Sequence, residues 1–240
     1  MASENRTIIL TRPRQSSIRL RQDLAGMLSG RVDILLSPLL KTVRLETDID
    51  LTRFSAAVFS SANGLKALTG NRPARGAAAY CVGDQTAAAA AAEGYRATSA
   101  NGSARDLAEL IAARWNGEKT VYICGKSTAF DLPAHLSKRG VPIDVAVIYD
   151  QTPMRLNSDA IDAATGGSCL FPVYSARTGR ILVDEARSIP DNCHVLACMS
   201  EKIVQEVLPL GWKTVVASRP EGESMMDLVF RWHKADYGKG

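Results

Sequence analysis

The chain has 240 residues, 46% of them hydrophobic and 22% charged, which suits two domains of modest size or one large one and excludes a disordered chain. Lys and Arg exceed Asp and Glu by only four and are scattered, which excludes a dedicated nucleic-acid binder but favours a small polyanionic ligand. No window approaches the ~20 apolar residues of a membrane span, and the opening MASENRTIILTRP has no apolar signal segment, so the expected location is the cytoplasm.

Short apolar runs alternate with helical patterns along the whole chain. Strands are expected at 7–10, 32–36, 56–60, 78–82, 95–97, 120–124, 144–149, 168–174, 194–198 and 214–217. Helices are expected at 16–28, 84–93, 104–115, 176–186, 201–208 and 224–234. This alternation predicts parallel sheets with helices on both faces. Gly94, Gly140 and Gly211 each follow a helix and read as C-cap positions.

The pattern repeats within the chain. GDQTAAAAAAEGY, beginning at Gly83, can be laid on SEKIVQEVLPLGW, beginning at Ser200, at a constant offset of 117 residues. Each copy follows a strand that ends in serine, VFSSANG in the first case and FPVYSARTG in the second. Each precedes an Asp-Leu helix, RDLAEL or MDLVF. Four elements in one order predict two copies of an α/β unit. The second copy lacks an opening strand, which TIILTRP supplies. One domain is therefore expected to be discontinuous, residues 1–38 plus 154–240, with residues 45–148 inserted as the other. The crossings, SPLLKTVRLE (37–46) and VIYDQTPMR (147–155), read as extended and are expected to pair as a hinge. Ligands of such sheets bind outside the carboxyl ends of the strands, here between the domains.

Several motifs are false leads. CGKST, starting at Cys124, resembles the end of a phosphate loop, but threonine stands at position 120 where the loop needs glycine. No G-x-G-x-x-G or G-x-S-x-G is present, so a dinucleotide cofactor and a serine-hydrolase elbow are not expected. Cys81, Cys124, Cys169, Cys193 and Cys198 form no CxxC and read as reduced, buried thiols. Cys193, His194 and Cys198 fall on an alternating apolar strand with no second ligand cluster, so no metal is expected. His135 and His233 read as surface residues of helices.

Small polar residues at strand ends remain. They are Thr11, Arg12, Ser60, Ser61, Asn63, Gly64, Gly83, Thr86, Gly125, Lys126, Ser175 and Ser200. Taken singly, about half of them read as helix caps, in which Ser, Thr or Asn accepts a backbone N–H and contributes ~1 kcal/mol. Taken together they would line the carboxyl edges of two sheets, where helix N-termini and hydroxyls bind carboxylates and Arg12 and Lys126 add charge. The expected ligand is acidic, fairly large and bound without a cofactor.

The same residues carry a family resemblance over nearly the full length. TRP (11–13), VFSSANG (58–64), VGDQTAAAAAAEG (82–94), YICGK (122–126), VIYDQTP (147–153), a strand ending in serine and a late Gly-Trp recur in this order. The ordered set resembles the uroporphyrinogen-III synthase family. The resemblance implies an α/β fold of two flavodoxin-like parallel-sheet domains joined by a two-stranded hinge. It implies a lyase of porphyrin and heme biosynthesis, needing no metal or organic cofactor. The substrate would be hydroxymethylbilane, a linear tetrapyrrole with eight carboxylates, closed with inversion of the last ring and loss of water. Tyr149 matches the tyrosine proposed to assist loss of the hydroxyl, and reads equally as a residue packing at the hinge. Thr86 matches the threonine of V-G-x-x-T-A, and reads equally as a cap. Many relatives have Ser-Pro where Ser175 is followed by Ala176, and Arg177 is then a replacement contact. The chain is expected to act as a monomer, with no nucleic-acid or membrane partner. A non-catalytic two-domain receptor for an acidic metabolite shares the layout, but such receptors usually carry a signal segment. A glycosyltransferase shares it too, but needs a nucleotide-phosphate loop.

Overall fold

A computed structural model describes residues 6–28 and 32–234. The expected domain limits at residues 1 and 240 lie outside them. In chain order the strands are β1 (Arg6–Leu10), β2 (Val32–Leu36), β3 (Leu40–Arg44), β4 (Ala56–Phe59), β5 (Ala78–Cys81), β6 (Arg96–Ser99), β7 (Thr120–Gly125), β8 (Asp144–Pro153), β9 (Cys169–Val173), β10 (Val195–Cys198) and β11 (Lys213–Val216). The helices are α1 (Arg14–Met27), α2 (Ala62–Ala67), α3 (Asp84–Ala92), α4 (Ala104–Arg114), α5 (Leu132–Ser137), α6 (Ser158–Gly166), α7 (Ala176–Ala186), α8 (Glu201–Val207) and α9 (Gly222–Lys234).

The chain divides into two units. The first ends at Lys41 and resumes at Thr152; the second is Thr42–Gln151. The sheet of the first has the order β11-β10-β9-β1-β2, with all neighbours parallel. The sheet of the second has the order β3-β8-β7-β4-β5-β6, parallel from β8 to β6. β3 and β8 carry the chain across both boundaries and run antiparallel. Leu45 N–H donates to Ile148 O at 2.8 Å and Met154 N–H to Leu39 O at 2.9 Å, so one number falls as the other rises.

The repeat in the sequence reappears in the topology. β4, β5 and β6 correspond to β9, β10 and β11. When β7 and β8 are matched with β1 and β2, the spatial order of the two parallel sheets is the same. The first unit draws two of its strands from the opening of the chain, and the second has all five in succession.

The core strands are buried along their whole length: every residue of β4, β7, β9 and β10 is buried. A strand paired on both sides and covered on both faces reads as a continuous apolar run. Period-two side-chain direction then sorts residues between faces. In the first unit Ile9, Phe171 and Leu196 pack with α6, α7 and α8, through Ala160, Leu182 and Ile203. Ile8, Leu170 and Val195 pack on the other face with α1 and α9, through Leu24 and Trp232. In the second unit Phe59 and Ile123 face α2 and α3, while Val58 and Tyr122 face α4 and α5. Gly94, Gly140 and Gly211 have φ of +90°, +74° and +69°, the left-handed C-cap geometry that their positions predict.

The segment expected to be an alternating strand from 194 to 198 differs. β10 starts at Val195 and has no exposed face. Cys193 sits exposed in the preceding turn with φ +59°, contrary to the expectation of five buried thiols. The other four thiols are buried, and burial pushes Cys81, Cys169 and Cys198 up to about 12 and Cys124 to about 11. His135 and His233, expected on the surface, are part-buried. His194 is fully buried and structural. Its Nδ1 accepts the Cys169 N–H at 3.1 Å, so Nε2 carries the proton and donates to Pro190 O at 3.0 Å. Its ring packs 4.4 Å from Trp212 and edge-on to Phe171.

Burial holds the His194 pKa below its ordinary 6.5. The unfolded chain therefore takes up a proton first as pH falls, and stability present above pH 6.5 is lost below it. Urea midpoints should fall between pH 7.5 and 5.5. His194→Gln should be less stable at pH 7.5 and show a smaller pH dependence; an equal slope in the two proteins would refute the assignment.

Candidate functional site

Because the strands of each sheet run parallel, their carboxyl ends share one edge, and each turn into the following helix starts there. On the second unit, β4 ends in Ser60 and Ser61. Ser61 is extended, with φ −161°, and its Oγ accepts the Asn63 N–H at 3.2 Å, capping α2. Ser60 is not a cap: its Oγ lies 2.8 Å from the Tyr122 hydroxyl. Gly64 lies on the buried side of α2. A Cβ there would stand 3.1 Å from Ile123 O and 3.3 Å from Phe59, so this glycine lets α2 close on β7 and is a packing residue.

β5 runs into Gly83, the N-cap of α3. Gly83 makes no side-chain cap, and a Cβ there would meet open space. Its φ of −153° suits any residue, so the fold does not require glycine there. Thr86 is buried in the first turn, its N–H donating to Gly83 O at 3.0 Å. Asp84 occupies the same turn and meets part of the positive end of the helix.

β7 ends in Gly125 and Lys126, and a bulge there sets the position of Tyr149. Cys124 pairs with Val147, but Gly125 pairs with Tyr149, so the register jumps by one residue. The jump lays the Tyr149 ring on Gly125. A Cβ at Gly125 would come 2.5 Å from ring Cε2 and 2.8 Å from Cζ. Lys126 N–H donates to Tyr149 O at 2.9 Å and closes the turn. Tyr149 is buried among Phe59, Ile123 and Ile148. Burial raises its phenol pKa; a hydrogen bond with Ser61 and the Gly125 backbone act the other way. Burial likewise pushes Tyr122 up to about 12, opposed by its bond to Ser60. Both phenols are neutral donors near pH 7. Lys126 is exposed and has no carboxylate partner among the described residues. Beside it lies a groove of about 370 Å³ lined by Tyr122, Cys124, Phe130, Val145 and Val147.

On the first unit, Thr11 and Arg12 follow β1. Thr11 is fully buried, and its Oγ1 has no hydrogen-bond partner among the described residues. The Arg12 guanidinium lies 4.1 Å above the Tyr174 ring. Its carbonyl accepts the Ser17 hydroxyl at 2.8 Å. Ser175 caps α7, accepting the Thr178 N–H at 3.1 Å and donating to Thr178 Oγ1 at 2.8 Å. Ser200 is the N-cap of α8 but its side chain makes no capping bond, which leaves the hydroxyl to another acceptor.

Within the second unit Ser60, Ser61, Asn63, Gly83, Thr86, Gly125, Lys126 and Tyr149 thus gather at one sheet edge. Within the first unit Thr11, Arg12, Ser175 and Ser200 do the same. Gly64 stands apart, beneath α2. Two contributors escape sequence reasoning, Tyr122 and Tyr174; each stands in an apolar run and reads as core. The arrangement is suited to carboxylates: hydroxyls, backbone N–H groups at helix starts, and a cation on each unit.

A family model described as uroporphyrinogen-III synthase HemD matches residues 29–227, most of the chain. The chain belongs to the uroporphyrinogen-III synthase family. Among solved structures it resembles the uroporphyrinogen-III synthetase of Helicobacter pylori 26695, with a TM-score of 0.69 and 15% identity over 95% of this chain and 99% of that one. It also resembles a mutant uroporphyrinogen III synthase of the extremely thermophilic bacterium Thermus thermophilus, with a TM-score of 0.54 and 13% identity over 95% and 98% of the two chains. At these identities the likeness concerns the fold. No curated protein sequence matches the chain. The family places the enzyme in heme biosynthesis and implies a tetrapyrrole substrate. No described helix is long and apolar enough to cross a membrane.

The contact between Gly125 and Tyr149 is open to test. Gly125→Ala should displace the ring, cost about 1–3 kcal/mol in urea unfolding as an overpacked site does, and lower the rate of product formation at least about ten-fold. Wild-type rate and stability would show that the contact does not hold Tyr149.

Proposed function

We propose that the chain is a hydro-lyase that closes hydroxymethylbilane to uroporphyrinogen III, with the strand-end residues as its binding surface and Tyr149 as its acid. The observation that supports this reading most is Tyr149 itself: a neutral phenol, buried and fixed over Gly125, at the same edge as Ser60, Ser61 and Lys126. No observation favours the receptor for an acidic metabolite, which has no use for such an acid.

The reaction has two physical requirements. The terminal hydroxyl must leave; its C–O bond breaks and the electron pair goes to oxygen. A donor at the departing oxygen lowers that barrier, and a phenol kept protonated well past neutral pH supplies one. The departure produces an azafulvene, and the proton that Tyr149 gives up is restored when the last ring regains its aromatic form. The flexible chain must also be held so that the new bond forms at the substituted carbon through a spirocyclic intermediate. Unrestrained closure gives the uninverted ring. Holding several carboxylates at fixed donors removes the wrong conformers before the reaction, an entropic and steric effect. Ser60, Ser200 and the N–H groups that open α3 supply neutral donors, and Arg12 and Lys126 supply charge.

Incubation with freshly prepared hydroxymethylbilane should yield the type III isomer; the type I isomer alone would overturn the reading. Tyr149→Phe should lower the rate by about 100-fold, the lower range for loss of a general acid, with an unchanged urea midpoint. Because burial raises the phenol pKa, the wild type should show no alkaline loss of rate from this group below about pH 10. An unchanged rate in Tyr149→Phe would remove the tyrosine from the chemistry.

A further inference from the structure

The turn after β1 combines three unusual features. Arg12 is a cation with no carboxylate partner among the described residues. α1 begins immediately after it with Pro13 as N-cap, no side-chain cap and no acidic residue in its first turn. Thr11 Oγ1, next to it in the chain, is buried without a partner among the described residues. By contrast α2 and α7 are capped by serines, and α3 and α8 carry an acid in the first turn. Of these helix starts, that of α1 is the least satisfied.

Arg12 is nevertheless held in place. β1 and β9 are paired, Ile8 opposite Leu170, and Arg12 and Tyr174 each stand four residues beyond that pair. The guanidinium carbon lies 4.1 Å from the ring centroid, well inside the ~6 Å range of a cation–π contact. The phenol is a hydrogen-bond partner of Arg12, and burial raises its pKa, so it stays neutral beside the cation. The Tyr174 ring packs against the cluster that includes Leu10 and Leu24, which fixes the platform. A guanidinium has five N–H donors in a planar fork, so the donors that the phenol does not engage remain for a carboxylate.

We propose that Tyr174 is a positioning residue that presents the Arg12 guanidinium to one carboxylate of the substrate, with the uncapped start of α1 beside it. This rests on the tetrapyrrole reading of the enzyme. On the second unit the strand beside the serine strand ends in Lys126, a point charge on a flexible stem. The stacked fork of Arg12 fixes direction as well as charge, so it is suited to choosing which carboxylate binds.

The test uses the full chain with Arg12→Gln, Tyr174→Leu, Tyr174→Phe and the double variant Arg12→Gln/Tyr174→Leu. Arg12→Gln and Tyr174→Leu should each raise KM for hydroxymethylbilane about ten-fold, within the range of a desolvated cation–π contact, with kcat within about two-fold. Tyr174→Phe keeps the ring face and should stay within about three-fold of the wild type. The double variant should be no worse than Arg12→Gln, because the tyrosine acts through the arginine. Additive losses, or a fall in kcat with KM unchanged, would overturn the proposal. If Tyr174→Leu lowers the urea midpoint, an unchanged KM in Arg12→Gln still overturns it. Affinity for uroporphyrinogen III, kept reduced under anaerobic conditions and read by tryptophan fluorescence, separates the two levels. A wild type that makes only the type I isomer defeats the synthase reading. Arg12→Gln that binds the tetrapyrrole as tightly as the wild type defeats the docking pair.

Discussion

A parallel strand that is paired on both sides and covered on both faces leaves no place for charged side chains along its length. β4, β7, β9 and β10 all meet that condition. Polar chemistry is therefore displaced to the first residues after each strand, where the backbone turns into a helix whose opening N–H groups need partners. The same constraint puts all these turns on one edge of each sheet. Capping and the proposed ligand binding draw on the same groups at that edge. Ser61 and Ser175 cap their own helices, Ser61 bonding Tyr149 as well, whereas Ser60 and Ser200 are not caps by their side chains.

The constraint also explains how legible the fold is. Continuous apolar runs ending in a small polar residue mark most strands within one or two residues, and the helix expected at 176–186 has those limits, Ala176–Ala186. The repeat at Gly83 and Ser200 is a real guide to topology, because the two sheets have one strand order. The failures are local. The apolar run before Cys198 reads as alternating, but it is buried throughout, so Cys193 and His194 belong to a turn and not to opposite faces. β8 runs past the strand expected at 144–149 into the crossing at 147–155, which reads as extended and does pair with β3.

The site is legible in its hydrogen-bonding residues and hidden in its aromatic ones. Serines and glycines at strand ends announce themselves. A tyrosine in YIC or PVY reads as core, and Tyr122 and Tyr174 are partly that; beyond it, the Tyr122 hydroxyl meets Ser60 and the Tyr174 ring face meets Arg12. Gly64 and Gly125 illustrate the converse. Both are glycine because something lies close, a carbonyl and a phenylalanine in one case and the Tyr149 ring in the other. Neither spacing nor composition reveals the bulge at Cys124 and Gly125 that brings that ring into place. Burial holds the four buried thiols and His194 in their neutral forms near pH 7.

The carboxyl edges of the sheets, on each unit, are proposed to hold the carboxylates of a tetrapyrrole. Backbone amide hydrogen exchange with and without reduced uroporphyrinogen III tests it most directly. Added protection is expected at Ser60–Ser61, Gly83–Thr86 and Gly125–Lys126 on one unit, and at Thr11–Arg12, Ser175 and Ser200 on the other. Protection confined to the opposite ends of the strands, or no protection at saturating ligand, would contradict it.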